Sequence, residues 1–589
     1  MAKLTVNASD FICQSGSMIQ FDKEYVSQEI RNIGGRSSGN VDMNFGIINL
    51  KIKKTNPVTQ KRHFVFSIDC SGSMNDLCDD GRTKNDHSNH TLINMITYFA
   101  DHPELMVSVT VFAFDGSIYT IIENQDVTQD NLDKLIQDIK KIRPKDMTNI
   151  EKALFNSREY IVNYCTKNMD SNVTHIFMTD GDATQGIVVP SKLKEFVSPL
   201  VSNIFIGFGI EHNVYLLKEL ANDNKNNYYF VDALEKAGLV YGEVLHSIIY
   251  RVLENTSIYV ANGLVYDWKK NGWVDKIDIG DLVSESNKII HVLSDKPSEF
   301  SCTVQCSLCL SKQPFEFDIQ NTIKKVHGTD ADLDGFTDLT KYKYRQRTQQ
   351  LLHEANLHNF NNVKCKDPLK ISPYHLDDYD DFCKIHYENG KLLHAKMKGL
   401  FKEMQQFLDL PLDPPLEKVE PNDADFCATF GKSGKVEPND VSLFKLLCDD
   451  IYICLHTFNT RHGAMYSCAR QTSQGAQRSY SATYTPRLDK GNHFDNLNSR
   501  PPIMMRSYAF NNASPRSQSP FPDFTDDDIN LKALCHAFYK KEDNNDTCND
   551  DTGDNNNVEY KVSDQIDNPY STLSVLELMR SCSASVDEK

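Results

Sequence analysis

The chain has 589 residues, 40% of them hydrophobic, and a formal net charge of -18 at pH 7. This length allows three or four domains with ordinary cores. The acidic balance argues against nucleic-acid binding, because a phosphate backbone repels a negative surface. No signal peptide and no apolar segment of membrane-spanning length is evident in the sequence, so we expect an intracellular, cytoplasmic protein.

The N-terminal segment, residues 1–58, contains one predicted strand at 45–52. The next strand, the apolar run 64–68, leads into a DxSxS motif formed by Asp69, Ser71 and Ser73. A carboxylate and two hydroxyls at the end of a buried strand present hard oxygen ligands at the edge of a sheet, where a divalent cation can use them. The motif therefore predicts a metal site.

Two further polar residues lie where such a site needs them. Thr148 precedes a helix-like run, and Asp180 ends the predicted strand 175–179. In open α/β sheets, ligands bind beyond the carboxyl ends of the strands, and Asp69 and Asp180 both lie at such ends.

Short apolar strands alternate with longer amphipathic helices from residue 64 to residue 249. Strands are predicted at 64–68, 107–114, 175–179, 203–208 and 228–231. Helices are predicted at 91–100, 131–142, 150–164, 191–197, 214–221 and 234–249. This alternation is typical of an α/β fold with a doubly wound, mostly parallel sheet covered on both faces.

The order DxSxS, then Thr, then Asp resembles the metal-ion-dependent adhesion site of von Willebrand factor type A domains, here over residues 60–252. The resemblance implies a Rossmann-like fold. It also implies Mg²⁺, or Mn²⁺, held by the hydroxyls of Ser71, Ser73 and Thr148, with Asp69 and Asp180 binding directly or through water. A carboxylate of a protein partner then replaces a metal-bound water, which is how the family binds.

The sequence departs from the family pattern in two places. Asp146 and Met147 precede Thr148 where the family often has glycine, which predicts a stiffer loop. A polar insertion at 75–90 could form a rim that selects partners or a solvated loop, and we favour the loop.

The pattern changes to successive short strands between residues 255 and 325, which predicts a β-sandwich. The early strand at 45–52 would join it from the other side of the A domain, making that domain an insertion between sandwich strands. Cys302, Cys306 and Cys309 cluster here, but a zinc site needs about four ligands and no second pair follows, so free thiols are favoured.

A helical region is predicted at 335–460. The acidic stretch Asp330–Asp338 spaces carboxylates like an EF-hand calcium loop, but Lys341 replaces the bidentate glutamate, so we favour a solvated turn over a Ca²⁺ site. Residues 461–589 are rich in Asn, Asp, Ser and Pro and predict a low-complexity, largely disordered tail.

Within that tail, residues 465–478 resemble a stretch that follows the helical region in intracellular A-domain proteins, including plant RING-finger and amoebal ones. No RING or U-box is present. The abundance of asparagine is typical of AT-rich genomes, such as those of amoebae and of the giant viruses that infect them; a viral origin would also allow a place in the virion.

Three function classes follow from these features. The leading one is a non-enzymatic binding module or scaffold that captures an Asp or Glu of a protein partner through the metal. The alternative is a ubiquitin-pathway factor, which the family architecture suggests. A metal-dependent hydrolase using Asp69 and Asp180 is least favoured, because no positioned His or Glu general base accompanies the motif. The sequence does not indicate the oligomeric state.

Overall fold

A computed structural model of the chain describes residues 11–30, 39–323, 336–365, 376–408, 438–479 and 568–583, apart from short gaps at 58, 78–80, 146, 182, 210–211, 224, 232–236, 310–311 and 460–461. The strands of these ranges are β1 Met18–Ile30, β2 Gly39–Lys51, β3 Arg62–Asp69, β4 Val107–Phe114, β5 Ile118–Asp126, β6 Asn172–Thr179, β7 Ser202–Phe208, β8 Asn227–Val231, β9 Arg251–Ala261, β10 Leu264–Asp267, β11 Gly272–Val274, β12 Lys276–Val283, β13 Asn287–Ser294, β14 Ser301–Leu308 and β15 Pro314–Asn321. The α-helices are α1 Lys84–Asp101, α2 Leu132–Ile139, α3 Ile150–Lys167, α4 Pro190–Leu193, α5 Val214–Leu220, α6 Ala237–Ile249, α7 Thr340–Cys365, α8 Leu376–Leu408, α9 Pro438–Thr457, α10 Gly463–Ala476 and α11 Leu573–Ser583.

A six-stranded sheet forms the centre of the α/β domain, in the order β5-β4-β3-β6-β7-β8. All neighbouring strands are parallel except β5, which runs antiparallel to β4. Every residue of β3 and β4 is buried, because helices cover both faces of the sheet. The predicted doubly wound, mostly parallel sheet is therefore confirmed. The edge strand β5 was not predicted, because it is largely exposed and ends in the polar run Glu123–Asp126.

Helix α1 begins earlier than the sequence pattern predicted. Thr83 and Asp86 form a capping box, in which each side chain accepts a hydrogen bond from the other's backbone amide. This box starts the helix at Lys84, so residues 84–90 of the polar insertion are helical and the loop interpretation is wrong for them. Polar residues such as His87 are buried there, which an apolar periodicity cannot reveal.

A second, nine-stranded sheet contains strands from both sides of the α/β domain, in the order β11-β10-β13-β2-β1-β15-β14-β9-β12. Strand β2 pairs antiparallel with β13, from Lys51 opposite Asn287 to Asn44 opposite Ser294. Strands β1 and β15 meet in a short parallel pairing. Since β3 to α6 lie between β2 and β9 in the chain, the α/β domain is an insertion into this sheet.

The two halves of the nine-stranded sheet share one core. Ile19 and Ile48 lie in the same buried cluster as Val252 and Val304 from the other half, which is the packing of a sandwich. In β14, Cys302 and Cys306 alternate with exposed residues and belong to this core. The thiol of Cys309 donates to Glu254 Oε1 over 3.3 Å.

The sequence analysis disfavoured zinc at the cysteine cluster of residues 302–309 and Ca²⁺ at the acidic stretch Asp330–Asp338. Among the residues that the structure describes, no group of three or more His, Cys, Asp or Glu side chains is arranged to hold a metal ion. Asp338 accepts hydrogen bonds from the amide and hydroxyl of Thr340 at the start of α7. Residues 330–335 of this EF-hand-like stretch lie outside the described residues.

Within the predicted tail over 461–589, α10 and α11 are ordered helices, so the prediction of disorder is wrong for these two stretches. Buried residues of α10, including Met465 and Tyr466, join the core that covers one face of the six-stranded sheet. Helix α11 buries Val575, Leu578 and Met579 against the opposite face. The sequence analysis missed both helices because polar residues surround their short apolar stripes. Residues 480–567 and 584–589 of the predicted tail lie outside the described residues.

Across the described ranges, the helices lack the combination of length and apolarity that a membrane span requires.

Four histidines of the α/β domain make its stability depend on pH. Burial lowers the pKa of His63, His175, His212 and His246 to about 4 each. In the unfolded chain a histidine binds its proton near pH 6.5, so stability is full above that pH and is lost as the pH falls towards 4. Between pH 6.5 and about 4, we expect the free energy of unfolding to fall by about 1.4 kcal/mol per histidine for each pH unit.

Urea denaturation at a series of pH values measures this slope. The ring of His175 is held by Ser67 at Nε2 and by Asn203 at Nδ1, both over 3.0 Å, and glutamine can occupy the same polar position. His175→Gln should therefore lower the slope by about 1.4 kcal/mol per pH unit. An unchanged slope in this variant would contradict the assignment.

Candidate metal centre

Asp69 is the last residue of β3 and is fully buried. Its Oδ1 accepts a hydrogen bond from the Ser71 amide over 2.8 Å, which turns the chain sharply after the strand. Its Oδ2 accepts one from the hydroxyl of Thr179 over 2.5 Å. These two contacts fix the carboxylate at the carboxyl edge of the sheet.

Asp180 reaches the same point from the neighbouring strand. Strands β3 and β6 are adjacent and parallel, with Ile68 opposite Met178, so the residues that follow them emerge side by side. The Ser73 hydroxyl donates to Asp180 Oδ1 over 2.8 Å, and the hydroxyls of Ser71 and Ser73 are 3.2 Å apart. A continuous hydrogen-bonded set therefore links Ser71, Ser73 and Asp180.

Thr148 is held at this edge by its backbone. Its amide donates to the Thr184 hydroxyl over 2.9 Å, and its carbonyl accepts from the amides of Thr184 and Gln185. The next residue, Asn149, donates its amide to the carbonyl of Asp115 at the end of β4. The loop that carries Thr148 is thus fixed between the loops that follow β4 and β6, and Thr148 itself is buried.

The buried carboxylate of Asp69 is electrostatically unfavourable by itself. Burial, with the charge of Asp180 acting in the same direction, raises the pKa of Asp69 to about 7, and the hydrogen bonds from Thr179 and Ser71 oppose the shift. A bound divalent cation would remove this penalty, because it neutralises both carboxylates. Hydroxyl and carboxylate oxygens without nitrogen or sulfur donors suit Mg²⁺ and Mn²⁺.

Solvent reaches the predicted ligands beside Ser73. Its side chain is half-buried, whereas Asp69, Ser71, Thr148 and Asp180 are buried. Of the five predicted ligands, Ser73 is therefore the one that solvent reaches.

Two functional residues were missed by the sequence analysis. Thr179 donates a hydrogen bond to Asp69. The sequence could have indicated this role, because Thr179 is a hydroxyl residue directly before the predicted ligand Asp180. Lys84 places its Nζ 2.6 Å from Asp180 Oδ2 and 3.2 Å from Asp76 Oδ2. Burial opposes the charge of Lys84, but the attraction of Asp180 and Asp76 outweighs burial and raises the pKa of the ammonium group.

The cysteine within the motif is not a nucleophile. Cys70 is buried, and burial together with the charges of Asp115 and Asp69 raises the pKa of its thiol to about 12. A thiol in this state has almost no reactive thiolate near neutral pH.

Comparisons with known proteins agree with this architecture. The family model described as "von Willebrand factor type A domain" matches residues 64–242. A comparison with curated proteins gives no match. Similar solved structures include a von Willebrand factor type A protein from Catenulispora acidiphila, with 12% identity, 60% of this chain and 84% of that chain covered, and a TM-score of 0.39.

Two further structures are similar. The ArnB paralog VWA2 from Sulfolobus acidocaldarius has 14% identity, covers 79% of this chain and 100% of its own, and has a TM-score of 0.39. Proximal thread matrix protein 1 from the mussel byssus, with a zinc-occupied MIDAS motif, has 16% identity, covers 35% of this chain and 51% of its own, and has a TM-score of 0.28. Such distant similarity supports no conclusion about function. The family match and the six-stranded sheet identify residues 64–242 as a von Willebrand factor type A domain.

Proposed function

We propose that the protein is a non-enzymatic binding module or scaffold that captures an Asp or Glu of a protein partner through a divalent ion at Asp69, Ser71, Ser73, Thr148 and Asp180. The observation that carries the proposal is the convergence of two carboxylates and two serine hydroxyls at adjacent strand ends. Mg²⁺ is the proposed ion, with Mn²⁺ as a substitute of similar ligand preference.

A binding function explains the arrangement better than catalysis does. The metal would have oxygen ligands from the protein and water-filled positions on the Ser73 side. A partner carboxylate that takes one of these positions gains a charge-assisted contact to the ion. We further propose an intracellular location, because Cys302 and Cys306 are buried as free thiols in an apolar core, as is usual in a reducing compartment.

Removal of a ligand should abolish metal binding without unfolding the domain. We expect Asp69→Ala and Ser71→Ala to lose Mg²⁺ binding, because each removes an oxygen donor at the sheet edge rather than part of the apolar core. Calorimetric titration with Mg²⁺ and Mn²⁺ measures the affinity, and thermal denaturation verifies the fold. Ser117→Ala is the matched control, since Ser117 is an exposed serine in the turn after β4. Wild-type affinity in both ligand variants would contradict the proposed centre.

Partner binding should depend on both the ion and a carboxylate. An array of synthetic peptides, each with Asp or Glu and a matched copy with Asn or Gln, tests this directly. We expect the Mg²⁺-loaded protein to bind the acidic copies, chelator to abolish that binding, and Thr148→Ala to weaken it while the fold persists. Equal binding to acidic and amide copies, with and without chelator, would show that the domain does not act through the metal.

A further inference from the structure

Lys84 occupies an unusual position for a lysine. It is the first residue of α1, where the helix macrodipole places a partial positive charge that disfavours a cation. Its side chain is 14% exposed, and its Nζ contacts the fully buried carboxylate of Asp180 over 2.6 Å. The ion pair with Asp180 compensates for both the unfavourable helix dipole and the burial of the charge. The position of Lys84 therefore depends on a residue of the metal centre.

The backbone before α1 directs this lysine to the centre. The amide of Lys84 donates to the carbonyl of Asp76 over 3.1 Å, and Leu77 and Thr83 form an isolated β-bridge. The chain therefore folds back on itself after the DxSxS motif and returns at Lys84. The ammonium also contacts the carboxylate of Asp76 over 3.2 Å, and this second partner is 66% exposed.

Both oxygens of Asp180 are thus engaged by the protein itself. Oδ1 accepts the Ser73 hydroxyl, and Oδ2 accepts the Lys84 ammonium. A divalent ion that uses Asp180 must compete with this ammonium for the carboxylate. The exposed carboxylate of Asp76 gives Lys84 a place to remain when the contact with Asp180 opens.

Formal charges show the consequence for partner binding. Asp69 and Asp180 together neutralise a divalent ion, so inside the centre Lys84 adds one positive charge, which only the 66% exposed and therefore solvent-screened carboxylate of Asp76 offsets. A carboxylate from a partner neutralises that charge. Since like charges a few ångströms apart repel strongly in a partly buried site, the ion is held weakly until the partner's carboxylate arrives.

We propose that Lys84 is an internal competitor of the divalent ion that couples metal binding to capture of a carboxylate. This inference rests on the proposed function and assigns a regulatory role at the same centre. Coupling is reciprocal, so the carboxylate raises the affinity for the ion by the same factor by which the ion raises the affinity for the carboxylate.

Calorimetric titration of Mg²⁺ into the full chain, with and without acetate as the carboxylate probe, tests the proposal. We expect Lys84→Met to bind Mg²⁺ about tenfold more tightly than wild type without acetate, because the competing charge is gone. Acetate should raise the Mg²⁺ affinity of wild type several-fold and that of Lys84→Met much less. Lys84→Arg keeps the charge and should retain the acetate effect.

Asp76→Asn and Lys84→Met distinguish failure of this inference from failure of the proposed metal centre. Asp76→Asn removes the alternative partner of Lys84, ties the ammonium to Asp180, and should weaken Mg²⁺ binding. If wild type binds Mg²⁺ and Lys84→Met binds it equally well or more weakly, this inference is overturned. The proposed metal centre would still stand. Absence of Mg²⁺ and Mn²⁺ binding from both wild type and Lys84→Met would overturn both. Binding by Lys84→Met alone would support the inference.

Discussion

Gly242→Leu is expected to release α11 from the A domain. A side chain at Gly242 would place its Cβ 2.4 Å from Met579 Cα and 2.5 Å from Met579 N. At Gly238, one turn earlier, a Cβ would lie 2.6 Å from the carbonyl oxygen of Cys582. These are backbone contacts that cannot rotate away, so the two helices must separate, and we expect a loss of about 3 kcal/mol in unfolding free energy.

Hydrogen exchange of residues 573–583 measures this release. In Gly242→Leu, the amides of α11 should lose protection while those of β3 and β4 keep it. Gly399→Ala is the matched control, because a Cβ at this exposed position of α8 meets no atom of the described residues within 4 Å. That control should gain up to about 1 kcal/mol in stability from the better helix propensity of alanine. Wild-type protection of α11 in Gly242→Leu would contradict the packing.

The second large effect is expected at the buried ion pair between α9 and α10. Arg470 Nη1 lies 3.0 Å from Asp450 Oδ1, and the two side chains are 1% and 0% exposed. Burial raises the pKa of Asp450 to about 6 even though Arg470 opposes the shift. Arg470→Met would leave a buried carboxylate without its cation, which we expect to lower the unfolding free energy by about 3–5 kcal/mol.

A double variant distinguishes loss of the pair from loss of packing. Among the described residues, atoms Nε and Nη2 of Arg470 are buried without hydrogen-bond partners, so the pair is incompletely satisfied. Asp450→Leu combined with Arg470→Met should therefore recover most of the lost stability. Urea denaturation of the two single variants and the double variant gives the coupling energy. Additive losses in the double variant would contradict this account.

Local sequence pattern was enough to predict four of the residues that the structure brings together at the candidate metal centre. Asp69, Ser71 and Ser73 share one strand end, and Asp180 ends another strand with the same apolar pattern. The parallel sheet then brings these ends together by its own geometry. The contact of Lys84 with Asp180 could not be predicted in the same way, because it depends on how the chain folds back between Asp76 and α1.

For the fold as well, local sequence pattern predicted some elements, whereas contacts between distant parts of the chain could not be predicted. The alternation of strands and helices predicted the doubly wound sheet, since buried parallel strands are apolar at every position. Helix α11 carries apolar residues at helical spacing, Val575, Leu578 and Cys582, but a short stripe does not identify the surface it packs against. That surface depends on two glycines of α6, Gly238 and Gly242, which lie more than three hundred residues earlier in the chain.

The insertion of the A domain between β2 and β9 has a consequence for synthesis on the ribosome. Strand β2 is made early, but its neighbour β13 begins at Asn287, with Lys51 opposite that residue. At typical elongation rates, the intervening chain takes on the order of 10 to 50 s to emerge. During this interval one edge of β2 lacks its final partner, while the A domain has all of its strands available to fold. Nascent chains should therefore complete the A domain first and close the sandwich around its two connections afterwards.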